Sequence, residues 1–190
     1  MTGMLARLNQ SARKLRGDSS GVGAVEFALI APVLIVLYMG ALEISVAMSV
    51  NKKLARASST VADLVTQEED VNKATLKSMV NVAESVMMPF RTDGMKVKIT
   101  GIAVDSTGVG KANWSWQQDE TRPYSVGSIQ SLPKELAVPN TFLVRTEVEL
   151  DYELLLVLSG IQDVDFKTLE MKKTYHLRQR VGEKVTCSNC

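Results

Sequence analysis

Residues 27–42 read FALIAPVLIVLYMGAL, a run without a single charge. Its flanks extend the apolar stretch to Val22–Val50, interrupted only by Glu26 and Glu43. A helix that crosses a bilayer needs about 20 mostly apolar residues, so this stretch is long enough to span one. Pro32 and Gly40 fall inside it, and both are tolerated better in membrane helices than in soluble ones. A buried core helix is the competing reading, and the preceding sequence weighs against it. Residues 1–16 carry Arg7, Arg13, Lys14 and Arg16 and no acid. Basic flanks are retained in the cytoplasm, which places residues 1–21 inside and the rest of the chain outside. Lys52, Lys53 and Arg56 lie just past the span and pull the other way, but long following domains translocate largely regardless of such charges.

Composition narrows the function classes. With 190 residues, 45% of them hydrophobic, the chain can bury one modest core beyond a membrane segment. A net charge of +1 argues against a nucleic-acid partner, which calls for a concentrated basic excess. The single histidine is His176, and the two cysteines are Cys187 and Cys190. So few His and Cys leave little material for a transition-metal site or a nucleophile–base pair. We expect no catalytic residue, no metal site and no cofactor.

Glu26 is the informative residue of the apolar run. A carboxylate costs about 2.5–3.5 kcal/mol at the centre of a bilayer and less towards its surface, so such a residue usually has a partner. A cut between Gly21 and Val22 would give Val22 a new α-amino group. Val22 and Glu26 are then i and i+4, on one helix face and roughly 6 Å apart along the axis. Glu26 would neutralise that amine or the amine of a neighbouring subunit. The competing readings are an interfacial Glu26 that reaches headgroups, and a secretory cut after Ser45-Val46-Ala47.

The stretch Gly21-Val22-Gly23-Ala24-Val25-Glu26-Phe27, followed by Pro32, Gly40 and Glu43, resembles the N-terminus of TadE-like proteins of bacterial tight-adherence (Flp) pilus systems. The resemblance implies a short basic leader (residues 1–21) removed after Gly21 by a prepilin peptidase, leaving Val22 as the first mature residue. Glu26 and Phe27 would serve processing and assembly, with Pro32 and Glu43 as further positions of the membrane helix. It also implies partners: the peptidase, the major and other minor pilins, and the inner-membrane assembly platform. The protein would be single-pass in the inner membrane, N-terminus cytoplasmic and head periplasmic, either entering the pilus or only priming it. Glu43 stands roughly 25 Å along a helix from Glu26, near the opposite side of the hydrocarbon layer.

Beyond the expected membrane helix 22–50, residues 51–190 read as an α+β head, helical over 51–88 and β-rich over 94–181, with a cysteine-containing tail at 182–190. Val50, Leu54, Ala57, Val61 and Leu64 recur at 4-3-4-3 spacing, so the first helix should continue to about Val65, as a coiled-coil seam or packed on its own domain. Thr66-Gln67-Glu68-Glu69 has the form of a capping box and predicts the start of a second helix. That helix carries Leu76, Met79, Val80, Ala83 and Met87 on one face and ends at Pro89. Alternation predicts strands at Lys96–Thr100, Trp114–Trp116, Phe142–Leu150 and Leu169–Leu177, in all about three or four antiparallel strands. Trp114 and Trp116 share a strand face, read as core packing in preference to a ligand surface. Cys187 and Cys190 read first as a local disulfide in an oxidising compartment, with intermolecular bridging as the other option.

Two functions follow: a minor pilin or pseudopilin needed for assembly of a Tad pilus, or a signal-anchored periplasmic binding domain that never joins a filament.

Overall fold

A computed structural model describes residues 21–154 and 168–190. Apart from Gly21, the expected leader lies outside the described residues. The chain divides into two compact units, the first ending at Ile44 and the second covering Ser45–Cys190.

Helix α1 covers Val22–Thr66 and continues through Pro32. Proline removes one backbone donor and crowds the preceding turn. In the first unit the large apolar side chains are open: Phe27 is 70% exposed, Leu29 71% and Leu37 65%. The second unit begins on the same helix, but there α1 has a buried stripe. Val50, Leu54, Ala57, Val61 and Val65 are fully buried in the head core. Val50, the last residue of the expected membrane segment, is thus already a core residue. The seam departs from the expected spacing at its end, where Val65 is buried and Leu64 only half-buried. A straight α-helix turns every 3.6 residues, so its buried stripe drifts off a strict heptad and moves one position on. The stripe packs on its own domain.

The second helix starts later than the capping-box pattern predicts. Thr66 closes α1, its hydroxyl donating to the Asp63 carbonyl at 2.8 Å. Asp70–Val71 instead forms β1, which pairs in parallel with β7 (Thr186–Cys187). Helix α2 then covers Lys73–Met87, with Asn72 as N-cap accepting from the Thr75 amide at 2.9 Å. Its buried residues are Leu76, Val80, Ala83 and Met87, with Met79 packed partly against the core.

The main sheet has five strands in the order β4-β3-β2-β5-β6, all antiparallel neighbours. They are β2 (Lys96–Val104), β3 (Gly110–Gln117), β4 (Ile129–Gln130), β5 (Phe142–Glu153) and β6 (Thr168–Arg178). The fold is α+β. One face of the sheet carries Val97, Ile99, Trp114, Trp116, Val144 and Val148 into a core shared with α1 and α2. Trp114 is 5% and Trp116 1% exposed, and the Trp114 indole N–H donates to the Val185 carbonyl at 2.8 Å. A register shift between Gly101 and Ile102 on the β2–β3 ladder lets both tryptophans face inward while Ala112 turns to the other face.

Candidate functional site

The first candidate site is the beginning of α1. The Gly21 carbonyl accepts from the Val25 amide at 3.1 Å, so the first turn closes on the expected cleavage residue. Val22 opens the helix, 52% exposed, and Glu26 stands one turn further along the same face. Phe27 follows, then the exposed apolar run as far as Ile44. Each large apolar side chain gains about 1.5–3 kcal/mol on full burial, so covering this half-exposed row is worth on the order of 10 kcal/mol. Such a surface calls for lipid or neighbouring helices around it. The helix is long and apolar enough to cross a membrane. Glu43, near the end of the run, is half-buried.

The family of TadE-like proteins matches residues 21–63. This segment is TadE-like. The match begins at Gly21, covers the exposed apolar run, and continues into the part of α1 that fills the head core. No curated protein and no solved structure matches the chain. The TadE-like segment thus includes Gly21, Val22, Glu26, Phe27, Pro32 and Glu43, all placed on or at the start of one helix, whereas Cys187 and Cys190 lie outside it.

The charges just past the run also have a place. The ammonium group of Lys53 donates to the carbonyls of Val86 and Met88 at the C-terminal end of α2. A cation there satisfies carbonyls that the helix leaves without donors and suits its dipole. Lys53 is therefore engaged by the head fold, while Lys52 is exposed.

A second cluster lies on the sheet face turned away from the helices. Sequence alternation places Arg145, Glu147 and Glu149 on one face of β5, which reads as a solvent face. The structure buries Arg145 and Glu147, at 7% and 6% exposure. The segment at residues 118–141 covers them: Tyr124 stacks on the Arg145 guanidinium at 4.5 Å, and Leu132 and Leu136 pack on Ile102, Val104 and Leu143. Arg145 donates to Gln130 Oε1 at 2.6 Å and lies 3.5 Å from Glu147 Oε2, which also accepts from the Tyr124 hydroxyl at 2.9 Å. Glu149 bridges Lys98 at 3.0 Å and Lys172 at 2.6 Å. Burial pushes the Glu149 carboxyl up, but the bonds from Lys172 and Lys98 outweigh it and hold the group below the usual range. The hydrogen bond to Glu149 holds Lys172 above its ordinary value. Burial, reinforced by the Glu147 bond, pushes the Tyr124 hydroxyl up. His176 sits opposite Arg145 on β6; burial, then the Arg145 charge, lowers its pKa. Its Nε2 is buried without a hydrogen-bond partner among the described residues.

This network was hidden because alternation along one strand says nothing about a loop that folds over it. The cross-strand charges were the available signal: Lys172 stands opposite Glu149, and Lys98, opposite Glu147 on the other side, reaches Glu149 diagonally. Buried ion pairs of this kind are weak sources of net stability, and removing one partner is costly. The network ties loop, β2, β5 and β6 into one body.

The tail closes the head at the other side of the sheet. Cys187 and Cys190 form a disulfide with Cα atoms 5.6 Å apart. The ring presents Asn189, whose Oδ1 accepts from the Lys73 amide at 2.8 Å, so the tail supplies a second cap to α2. The Ser188 amide donates to the Val71 carbonyl at 3.1 Å, and Arg122 donates to the Cys190 carbonyl. Among the described residues, no cluster of three His, Cys, Asp or Glu side chains is placed to hold a metal ion.

Proposed function

We propose that this chain is a TadE-like minor pilin or pseudopilin that serves assembly of a Tad (Flp, type IVc) pilus. A prepilin peptidase cuts after Gly21. The exposed apolar part of α1 anchors the protein in the bacterial inner membrane, N-terminus inside and head in the periplasm. Its partners are the peptidase, other pilins of the system and the inner-membrane platform.

The observation that carries this reading is the joining of two features in one helix. The Gly21–Phe27 signature sits at its start, and the described residues leave the apolar surface that follows open. In this scheme the Val22 amine and Glu26 are the only opposite charges at the head of an apolar helix, so they set its register against a neighbour. Charges in a low-dielectric layer interact far more strongly than in water, which makes a one-turn slip expensive.

The rival reading, a periplasmic binding domain, drew on the paired tryptophans as a ligand surface. Both are core residues, and the Trp114 indole is committed to Val185. The proposal is tested by complementing a deletion strain. Gly21→Arg should leave the leader on and abolish pili, whereas Glu26→Ala should still be cut yet fail to assemble. Normal piliation with Glu26→Ala would remove Glu26 from the mechanism.

A further inference from the structure

The main sheet ends in two unlike edges. On one side β4 has 2 residues. On the other β6 has 11 residues, an edge of roughly 36 Å at about 3.3 Å per residue.

Register shows which backbone groups face outward along β6. The Gln179 amide donates to the Phe142 carbonyl at 3.1 Å, in step with the β5–β6 ladder. In an antiparallel ladder, pairs that exchange hydrogen bonds alternate with pairs that do not. Leu169, Met171, Lys173, Tyr175 and Leu177 therefore bond to β5. Thr168, Glu170, Lys172, Thr174, His176 and Arg178 turn their amides and carbonyls away from it. The Arg180 amide keeps the same alternation and donates to the Thr66 carbonyl of α1 at 3.0 Å. α1 thus closes the edge at that end, and among the described residues no strand pairs with it over Thr168–Arg178.

An open edge of this length is a template for another strand, and its side chains say which kind. On the face that β6 shares with the core residues Val148 and Tyr152, Leu169 is 47% and Tyr175 43% exposed. An added strand would cover both. Between them stands Lys173, and Arg178 lies on the other face. Neither cation has an ion-pair partner among the described residues, whereas Lys172 is held by Glu147 and Glu149. A lysine on the inward face blunts an edge towards apolar strands, which would leave its ammonium group unpaired. A carboxylate opposite it removes that penalty, so Lys173 selects an acidic strand.

A second copy fits poorly. Antiparallel self-pairing centred on Thr174 sets Glu170 against Arg178 but gathers Lys172 and Lys173 of both copies at the middle. Centred on Lys173, it sets that lysine against itself, and like charges directly opposite are destabilising. The strand that β6 already holds shows the pattern that suits it. On β5, Glu147, Glu149 and Asp151 alternate with Val148, Leu150 and Tyr152, with carboxylates towards Lys172 and apolar residues towards the core.

We infer that the outer edge of β6 is an interaction surface that takes an extended acidic segment of a partner chain. The segment bonds to the outward amides of Glu170, Lys172, Thr174, His176 and Arg178. Its apolar residues cover Leu169 and Tyr175, and its carboxylates meet Lys173 and Arg178. The inference concerns the head alone and does not depend on the anchor or cleavage readings.

The test follows amide exchange by NMR in the isotope-labelled full chain in detergent micelles. The probe is a peptide as long as β6 that alternates glutamate and valine. Glutamate also replaces its central valine, so that a carboxylate stands opposite Lys173. The control peptide carries lysine wherever the probe carries glutamate. In the free chain the five outward amides should exchange fast and those of Met171, Lys173 and Tyr175 slowly. Saturating probe should slow the outward set about tenfold and leave the inward set unchanged, and the control should do neither. Thr174→Pro removes one outward N–H and spares the β5–β6 ladder, so it should abolish the protection. If that variant loosens β6, seen as fast exchange at Tyr175, the contrast between the two peptides still decides. No protection by the probe overturns the surface, and protection by the control as well overturns the acidic occupant. Protection that survives Thr174→Pro in an intact β6 puts the peptide elsewhere and also overturns it. Outward amides that are slow before any peptide overturn the partner: slowing that grows with chain concentration assigns the edge to a second copy, and slowing at every concentration assigns it to the chain itself.

Discussion

Gly101 on β2 is where the core has no room for a side chain. It pairs with Trp114 on one side and Val144 on the other, and the Trp114 ring lies across it. A Cβ at this position would stand 2.6 Å from Trp114 Cε2 and 2.7 Å from Phe142 Cζ. Unstrained carbon contacts are about 3.5–4.0 Å, so both rings would have to retreat by roughly 1 Å. Neither is the loose end of a flexible chain, because both rings are buried in the main core. Overpacking of this kind costs about 1–3 kcal/mol. Displacing the indole also threatens its bond to Val185, worth about 0.5–1.5 kcal/mol. The stiffer unfolded chain of an alanine variant returns about 0.4–1 kcal/mol. Gly101→Ala should therefore destabilise the head by about 2 kcal/mol, a fall of roughly 4–8 °C in melting temperature for a domain of this size. Trp114 and Trp116 are the chain's two tryptophans, so fluorescence of the full chain in detergent reads the perturbed site directly during urea titration. Gly110→Ala is the control. There the added Cβ meets the Leu132 methyl tip, which can swing away, and Ile102 Cγ2 and Leu132 Cγ at 3.1 Å, but no aromatic ring, so the cost should stay below that of Gly101→Ala. Equal stability of Gly101→Ala and the native chain, with unchanged tryptophan emission, would refute the packing argument.

Three further outcomes follow from the polar face and the tail. Glu147→Ala strips the buried Arg145 of its carboxylate and should cost about 3–5 kcal/mol by urea unfolding, while Glu149→Ala, nearer the solvent, should cost less. Asn189→Ala removes one of two caps on α2 and should cost about 1 kcal/mol, with faster amide exchange at Lys73 as its local sign. His176 has a folded pKa below its ordinary value of about 6.5, so the unfolded chain takes up its proton first as pH falls. Stability is then fully present above the unfolded pKa and declines as pH drops through it towards the folded value. As His176 is the one histidine of the chain, His176→Gln should abolish that slope near pH 6 and leave the carboxylate transition at lower pH.

Periodicity made much of this fold legible. The charge-free run at 27–42 and the stripe at Val50, Leu54, Ala57 and Val61 announce α1, and Leu76, Val80, Ala83 and Met87 announce α2. Alternation at Lys96–Thr100 and Phe142–Leu150 locates two long strands, though each continues past its clear pattern. What stayed hidden depends on pairs far apart in the chain. Asp70 and Val71 join β1 because Thr186 and Cys187 reach them from over a hundred residues away, and this delays α2 to Asn72. Arg145 and Glu147 are polar residues on an alternating strand, and only the covering loop makes them interior. The need for glycine at 101 appears only once the Trp114 ring is placed. Of the candidate site, the stretch Gly21–Phe27 was readable because its resemblance is a local pattern.

If the chain is a prepilin, as proposed, its mature form begins at Val22. Intact mass of the membrane-extracted protein, expressed with and without the prepilin peptidase of its own system, tests it most directly. A peptidase-dependent loss of residues 1–21, with Gly21→Arg left uncut, is the predicted result. An uncut chain in both cases, or a start after Ala47, would contradict it.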